Sequence, residues 1–309
     1  MSAMNYTLSK TSYNLSAKDC SLPLAHGVAL ITVNAIMGVF GTLGNLMVCV
    51  AVVKNPRLRR FPNYLLFSLA MADLIVTMFC DPLVVIIFSE RTFRNVCAEN
   101  AERVYFIVSN FSASASVVHL SAISVDRFLA VVWPLRHKGI MENFGWKFML
   151  AVCWTLPVGF LFLGRFLPAP ISVKAFINLA VFVLCYVIVF VSYTMIVISL
   201  VKQRKKIDQI NATSPDDTSS RREIRVAVTL AVVIVVFTAC WFPLFVVFSV
   251  AGKPLVKMQG TAHMWIRTLA LSNSAMNFLI YGSRMRNFTD TYIEIFQKTL
   301  RFAGLQTTA

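Results

Sequence analysis

Seven long apolar runs, separated by short polar stretches, leave this chain few ways to fold. They lie near residues 28–53, 63–88, 102–132, 146–166, 174–201, 224–250 and 262–282. Each has about the 20 residues that a helix needs to cross a bilayer. In lipid every backbone N–H must find its partner within the protein, and runs of this length exceed what barrel strands need, so they read as helices. The composition agrees: 57% of the residues are hydrophobic and only 14% are charged, against about half and a quarter in an ordinary soluble domain. A net charge of +15 does not point to nucleic acid, because Lys and Arg sit in short clusters between the apolar runs. The expected fold class is an all-α membrane protein, a seven-transmembrane helix bundle.

The basic residues also orient the bundle. Most of the 29 Lys and Arg residues fall on one side if the N-terminus is outside, including Lys54, Arg57, Arg59, Arg60, Arg136, Lys138, Lys202, Arg204, Lys205 and Lys206. That bias predicts an extracellular N-terminus and a cytoplasmic C-terminus at the plasma membrane. Sequons at Asn5 and Asn14 fit glycosylation of an exterior segment. The expected organisation is an extracellular segment 1–27, a bundle 28–282, and a cytoplasmic tail 283–309. The polar start has no basic-then-apolar signal pattern, so the first span is expected to serve as the signal and stay in place. The polar stretch 203–222, with "NATSPDDTSS", reads as a mobile inner loop. In the tail, Phe288, Tyr292 and Phe296 recur every four residues, which predicts an amphipathic helix on the inner membrane surface.

Two polar constellations interrupt the apolar pattern. Ser109, Ala113, Ser116, Leu120, Ile123 and Arg127 form one stripe at spacings of three and four, small and polar enough to face protein. Ser109 precedes Arg127 by as many residues as Glu223 precedes Trp241. In antiparallel helices that register sets Arg127 level with Glu223 on the inner side and Ser109 level with Trp241 in the outer half. Arg127 could then bridge Asp126 and Glu223 as a latch between two helices; the alternative is an unpartnered Arg snorkelling to the interface. Midway through the membrane, Asp73 shares its depth with Asn45, Ser116, Asn273, Ser274 and Asn277. A buried carboxylate needs partners, water, a proton or a cation. An all-oxygen cage of Asp73, Ser116, Asn273 and Ser274 would suit sodium, and a neutral packing network is the alternative. From depth and face alone, the candidate ligand-binding residues are Ser109, Asn110, Ala113, Ser114, Trp241, Phe245 and Arg267.

The motifs in sequence order resemble the rhodopsin-like (class A) G-protein-coupled receptors across all seven runs. They are Gly44-Asn45, Leu69-Ala70-Met71-Ala72-Asp73, Asp126-Arg127-Phe128 with Pro134-Leu135, Trp154, Tyr193, Cys240-Trp241-Phe242-Pro243, and Asn277-Phe278-Leu279-Ile280-Tyr281. The resemblance implies a receptor, not an enzyme, that binds an extracellular ligand and activates a heterotrimeric G protein. Arrestin and a receptor kinase would be further partners, and no cofactor is implied beyond the sodium ion. Asp126, Arg127, Tyr193, Glu223, Phe237, Trp241, Pro243, Asn277 and Tyr281 would be its activation switches. Arg127, Pro134 and Leu135 would meet the G protein. A transporter or cation channel using Asp73 is the competing class; the absence of an internal repeat counts against it.

Departures from the pattern accompany the match. Phe128 stands where relatives carry Tyr, Phe278 where they carry Pro, and Cys185 where many carry Pro. Glu102 stands at the position of the usual outer disulfide cysteine, so Cys97 and Cys20 are the candidates for an alternative bridge. Ser109 stands where amine receptors carry Asp, and Leu271 where opsins carry the retinal Lys. The short second outer loop is similar to that of melanocortin, cannabinoid and lysolipid receptors. Asp81, Glu99 and Glu102 could greet a basic peptide, Arg103, Arg267 and His263 an acid, or all six could solvate the helix ends.

Overall fold

The computed structural model describes residues 20–168, 170–210, 217–251 and 260–302. Seven helices form the bundle: α1 (Leu24–Lys54), α2 (Phe61–Arg94), α3 (Glu99–Val132), α4 (Trp146–Phe166), α5 (Ile171–Ile210), α6 (Asp217–Ala251) and α7 (Thr261–Arg284). An eighth helix, α8 (Arg286–Phe302), comes after α7 with a single residue between them. A short helix, Pro134–Ile140, runs through a wide turn into α4. Both α5 and α6 continue beyond their apolar runs, so residues 203–210 and 217–222 are helical where the sequence reads as loop. Five stretches among the described residues are long and apolar enough to cross a membrane: those of α1, α2, α3, α4 with its preceding helix, and α5. α6 supplies a shorter apolar stretch, Ala231–Leu244. α7 falls below that level because His263, Arg267, Asn273 and Asn277 dilute it.

Polarity is distributed inside out. Asn45, Asp73, His119 and Ser124 are fully buried, whereas Phe190 is 73% and Phe40 62% exposed. In water such an arrangement would be unstable; in a bilayer, lipid covers the phenyl rings and the interior hides the polar groups. Helix association there depends on close packing and interior hydrogen bonds. α3 is the central strut, packed against α2, α4 and α5. His119 on α3 is part of this strut: Trp154 Nε1 donates to Ser68 Oγ at 2.9 Å, and Ser68 Oγ lies 2.8 Å from His119 Nε2. α1 packs against α2 and α7, through small residues that let backbones approach. A Cβ on Gly44 would overlap the Phe278 ring, and one on Gly41 would sit 3.1 Å from Ala275 Cβ. The Phe that replaces Pro in α7 therefore fills a notch left by Gly44.

α2 is not a uniform helix. Residues 76–80 form a π turn directly before Asp81 and Pro82. Pro82 lacks the N–H that a regular turn requires, and a one-residue π insertion rotates the remainder of the helix by about 100°. Asp81 consequently faces α1, where its Cβ would lie 3.2 Å from a Cβ on Gly38. It is buried, which corrects its placement at an open outer mouth.

One end of the bundle carries a disulfide between Cys20 and Cys97, which ties the segment before α1 to the turn before α3. Leu22 is buried there against Val84, Ile87, Phe88 and Met264. Glu102, at the position of the missing cysteine, forms a partly buried ion pair with Arg91 of α2, whose own side chain is buried. Removing one member of a buried pair strands the other and costs roughly 3–5 kcal/mol. Glu102→Ala is therefore expected to lower the thermal unfolding midpoint of the purified protein by several degrees, as read by unfolding in detergent.

Candidate functional site

Counting residues along α3 and α6 places Ser109 and Trp241 level, and both line one cavity. Its walls are Val76, Ser109, Ser112, Ala113, Ser116, Trp241, Ala270, Leu271, Asn273 and Ser274. The cavity lies between α2, α3, α6 and α7, beside the polar residues at mid-depth, and its volume of about 10 Å³ is room for a single water molecule. Of the candidate binding residues, Ser109, Ala113 and Trp241 are in its wall. Asn110 and Ser114 are not: the Asn110 amide donates to the Phe106 carbonyl at 2.9 Å, and the Ser114 hydroxyl to the Asn110 carbonyl at 2.8 Å. A helix face one residue off the inward stripe turns its polar atoms back onto its own backbone. The Phe245 side chain lies outside the described residues. Arg267 stands one turn above Leu271, and its guanidinium covers the Tyr105 ring at 3.5 Å.

Beneath the cavity lies an aromatic stack. The Phe237 ring, buried, lies 5.9 Å from Trp241 and 6.3 Å from Phe182, and Tyr186 closes the group at 6.2 Å from Phe237. Pro243 interrupts α6 two residues beyond Trp241. Aromatic pairs at these separations attract each other beyond their area burial, so Trp241 is coupled by packing to Phe237 one turn deeper on α6.

At mid-depth the polar cage assembles as the shared depth implies. Asn277 Nδ2 donates to Asp73 Oδ2 at 2.7 Å, and Asn45 Nδ2 donates to the Ser274 carbonyl at 2.9 Å. Four buried oxygens have no hydrogen-bond partner: Asp73 Oδ1, Asn45 Oδ1, Asn273 Oδ1 and Asn277 Oδ1. Ser116, also buried, faces the same cavity. Unsatisfied buried acceptors beside a carboxylate are the chemistry that a hard cation or a water completes, and Asp73, Ser116, Asn273 and Ser274 are the residues that could hold one.

The far end of α3 holds the charge pair. Arg127 Nε donates to Asp126 Oδ2 at 2.9 Å, and Arg127 Nη2 contacts the same oxygen. Both residues are buried, so a bare snorkelling arginine is not what forms. The other oxygen, Asp126 Oδ1, is engaged by His137 Nε2 at 2.8 Å. His137 escapes sequence reasoning, although Pro134 at the start of a helix is a signal that the chain turns back there. Tyr193 lies within electrostatic range of Arg127. Tyr281 packs on Phe288 at 6.0 Å with its hydroxyl buried and without a hydrogen-bond partner. The Glu223 side chain lies outside the described residues, as do Asn5 and Asn14. Leu135, on the short helix after α3, is 89% exposed.

The profile described as "7 transmembrane receptor (rhodopsin family)" matches residues 44–167 and 164–281, which include every helix that builds the cavity, the cage and the charge pair. The chain belongs to that family. It is a class A receptor-type, multi-pass membrane protein. The receptor is 26% identical to the adenosine receptor A2a of Canis lupus familiaris over 86% of its own length and 71% of that protein's. It is 26% identical to the histamine H2 receptor of Homo sapiens over 87% of its length and 79% of the relative's. It is 25% identical to cannabinoid receptor 1 of Xenopus laevis, covering 92% and 66%. These relatives share the receptor role and differ in the ligand their names carry.

Proposed function

We propose that the receptor binds an extracellular ligand in the cavity beneath Arg267 and activates a heterotrimeric G protein from the Arg127 end. The observation that carries this reading is the vertical order of the parts. A cavity, an aromatic stack, a polar cage and a charge latch succeed one another along α3, α6 and α7. The disulfide end would face outside, with residues 1–27 extracellular, and the Arg127 end would face the cytoplasm with the tail from 283. Ligand seated on Trp241 favours a second position of α6, and the equilibrium moves by the ligand's differential affinity for the two positions. Release of Arg127 from Asp126 then opens the inner face. Leu135 offers the exposed apolar contact, and Pro134 fixes the turn that presents it. Asp73, Ser116, Asn273 and Ser274 would hold a sodium ion that favours the resting state. The receptor family favours this use of Asp73 over a carrier site for transport.

The test is guanine-nucleotide exchange by purified receptor in lipid nanodiscs with each class of heterotrimeric G protein. Exchange above the protein-free rate with at least one class, lost in Arg127→Ala, is expected; no exchange with any class contradicts the proposal. His137→Phe removes a hydrogen bond to a charged carboxylate, worth about 1.5–3 kcal/mol. Part of that acts on the resting state, so basal exchange in this variant is expected to rise severalfold in the same assay, with surface expression unchanged.

A further inference from the structure

Charges at the ligand entrance are unequally matched. Three acids stand near it, and each is occupied or hidden. Glu102 is paired with Arg91, Glu99 lies 4.0 Å from Arg103, and Asp81 is turned toward α1, its two carboxylate oxygens buried without a hydrogen-bond partner. On α7 the balance is reversed. Arg267 has no carboxylate partner among the described residues, and its Nε is buried without a hydrogen-bond acceptor. His263, one turn further out, has its Nδ1 buried and equally unpartnered. Both belong to one electrostatic neighbourhood with Arg91 and Glu102.

The position of Arg267 is set by helix register. Ser109 and Leu271 are in the cavity wall; Tyr105 and Arg267 precede them by one turn on α3 and α7. The stacked pair at 3.5 Å therefore roofs the cavity. Stacking holds the guanidinium plane still and leaves its edge for an oxyanion. Below it the wall is largely apolar: Val76, Ala113, Trp241 and Leu271.

We infer that the ligand is a small acid, with a carboxylate or phosphate headgroup on an apolar body. The headgroup pairs with the edge of Arg267, with His263 Nδ1 beside it, and the body points toward Trp241, where the cavity of about 10 Å³ must widen to admit it. This inference rests on the proposed ligand site and supplies its ligand class. It assigns the Arg267 end of the site to an anionic headgroup in place of a cationic amine, since no carboxylate lines the cavity wall. A cationic charge under a roof cation is unfavourable at this range.

The test uses the purified full-length receptor in nanodiscs and reads thermal stability and equilibrium binding. The probes are decanoate, indole-3-acetate and oleoyl lysophosphatidate, each beside its neutral counterpart (methyl decanoate, indole-3-acetamide, monooleoylglycerol), with inorganic phosphate alone as the headgroup control. At least one acid is expected to raise the unfolding midpoint saturably where its neutral counterpart does not. Its affinity should fall about tenfold or more in Arg267→Gln, the loss expected when a charged hydrogen bond is removed, and recover in part in Arg267→Lys. Stabilisation by carboxylates alone, by the lipid phosphate alone or by both assigns the headgroup. No stabilisation by any acid, equal effects of acid and neutral partners, or an undiminished affinity in Arg267→Gln overturns the inference. Nucleotide exchange by the wild-type protein is measured in parallel: exchange without acid binding removes only the ligand class, and acid binding without exchange removes only the G-protein reading.

Discussion

Gly44→Val is expected to deplete the membrane of folded receptor. A Cβ at that position would overlap the ring of Phe278, and Val adds two methyl groups to it. The ring is wedged between α1 and α7, and α7 cannot retreat: Asn34 Nδ2 donates to Thr268 Oγ1 at 2.9 Å and Asn45 Nδ2 to the Ser274 carbonyl. Overpacking a filled site costs roughly 1–3 kcal/mol and occasionally more; the rigid ring and the anchored helix put this case at the upper end. Against a total stability of about 5–15 kcal/mol, the loss should be visible as a collapsed monodisperse peak on size exclusion. Shortening the obstacle should reverse it, so Gly44→Val combined with Phe278→Ala is expected to recover most of the peak. A wild-type peak from Gly44→Val alone would show that the two helices are not in this contact.

Asp126→Asn is expected to raise basal nucleotide exchange about tenfold or more. The carboxylate accepts from Arg127 and engages His137 at the same time, and an amide keeps the shape but loses the charge. Interrupting a buried ion pair leaves the guanidinium uncompensated at a cost of about 3–5 kcal/mol. Whatever share of this falls on the resting state moves the population toward the open one, and about 1.4 kcal/mol is tenfold. The same change should lower thermal stability, since the resting state is the stable one. Exchange in nanodiscs and unfolding in detergent read the two effects separately; unchanged basal exchange together with unchanged stability would mean that the pair latches nothing.

Features that depend on counting along a single helix are legible in the sequence. The spacing of Ser109, Ser116 and Arg127 foretells a buried face, and equal intervals on α3 and α6 foretell that Ser109 and Trp241 share a cavity. The depth of Asp73 foretells its contact with Asn277. Features that depend on departures from regular geometry or on chain reversal are not legible. A π turn before Pro82 rotates Asp81 away from the entrance, and ideal periodicity cannot anticipate that. His137 reaches Asp126 because the chain turns back at Pro134, which brings together residues that no helical repeat relates. Phe278 reads as a lost Pro until Gly44 is seen opposite it. Glu102 reads as a lost disulfide until Arg91 is found beside it. The polar stretch between α5 and α6 reads as loop because its composition is polar, although helices project beyond a membrane readily when solvated.

The most direct measurement is the separation of the ends of α3 and α6 nearest the Asp126–Arg127 pair. Spin labels on cysteines introduced at Arg136 and Val228, both exposed, can be read by electron double resonance, since the five free cysteines are buried. A latch at Asp126 predicts one short distance in the wild type and an added population longer by roughly 5 Å or more in Asp126→Asn. Identical distance distributions in the two proteins would contradict it.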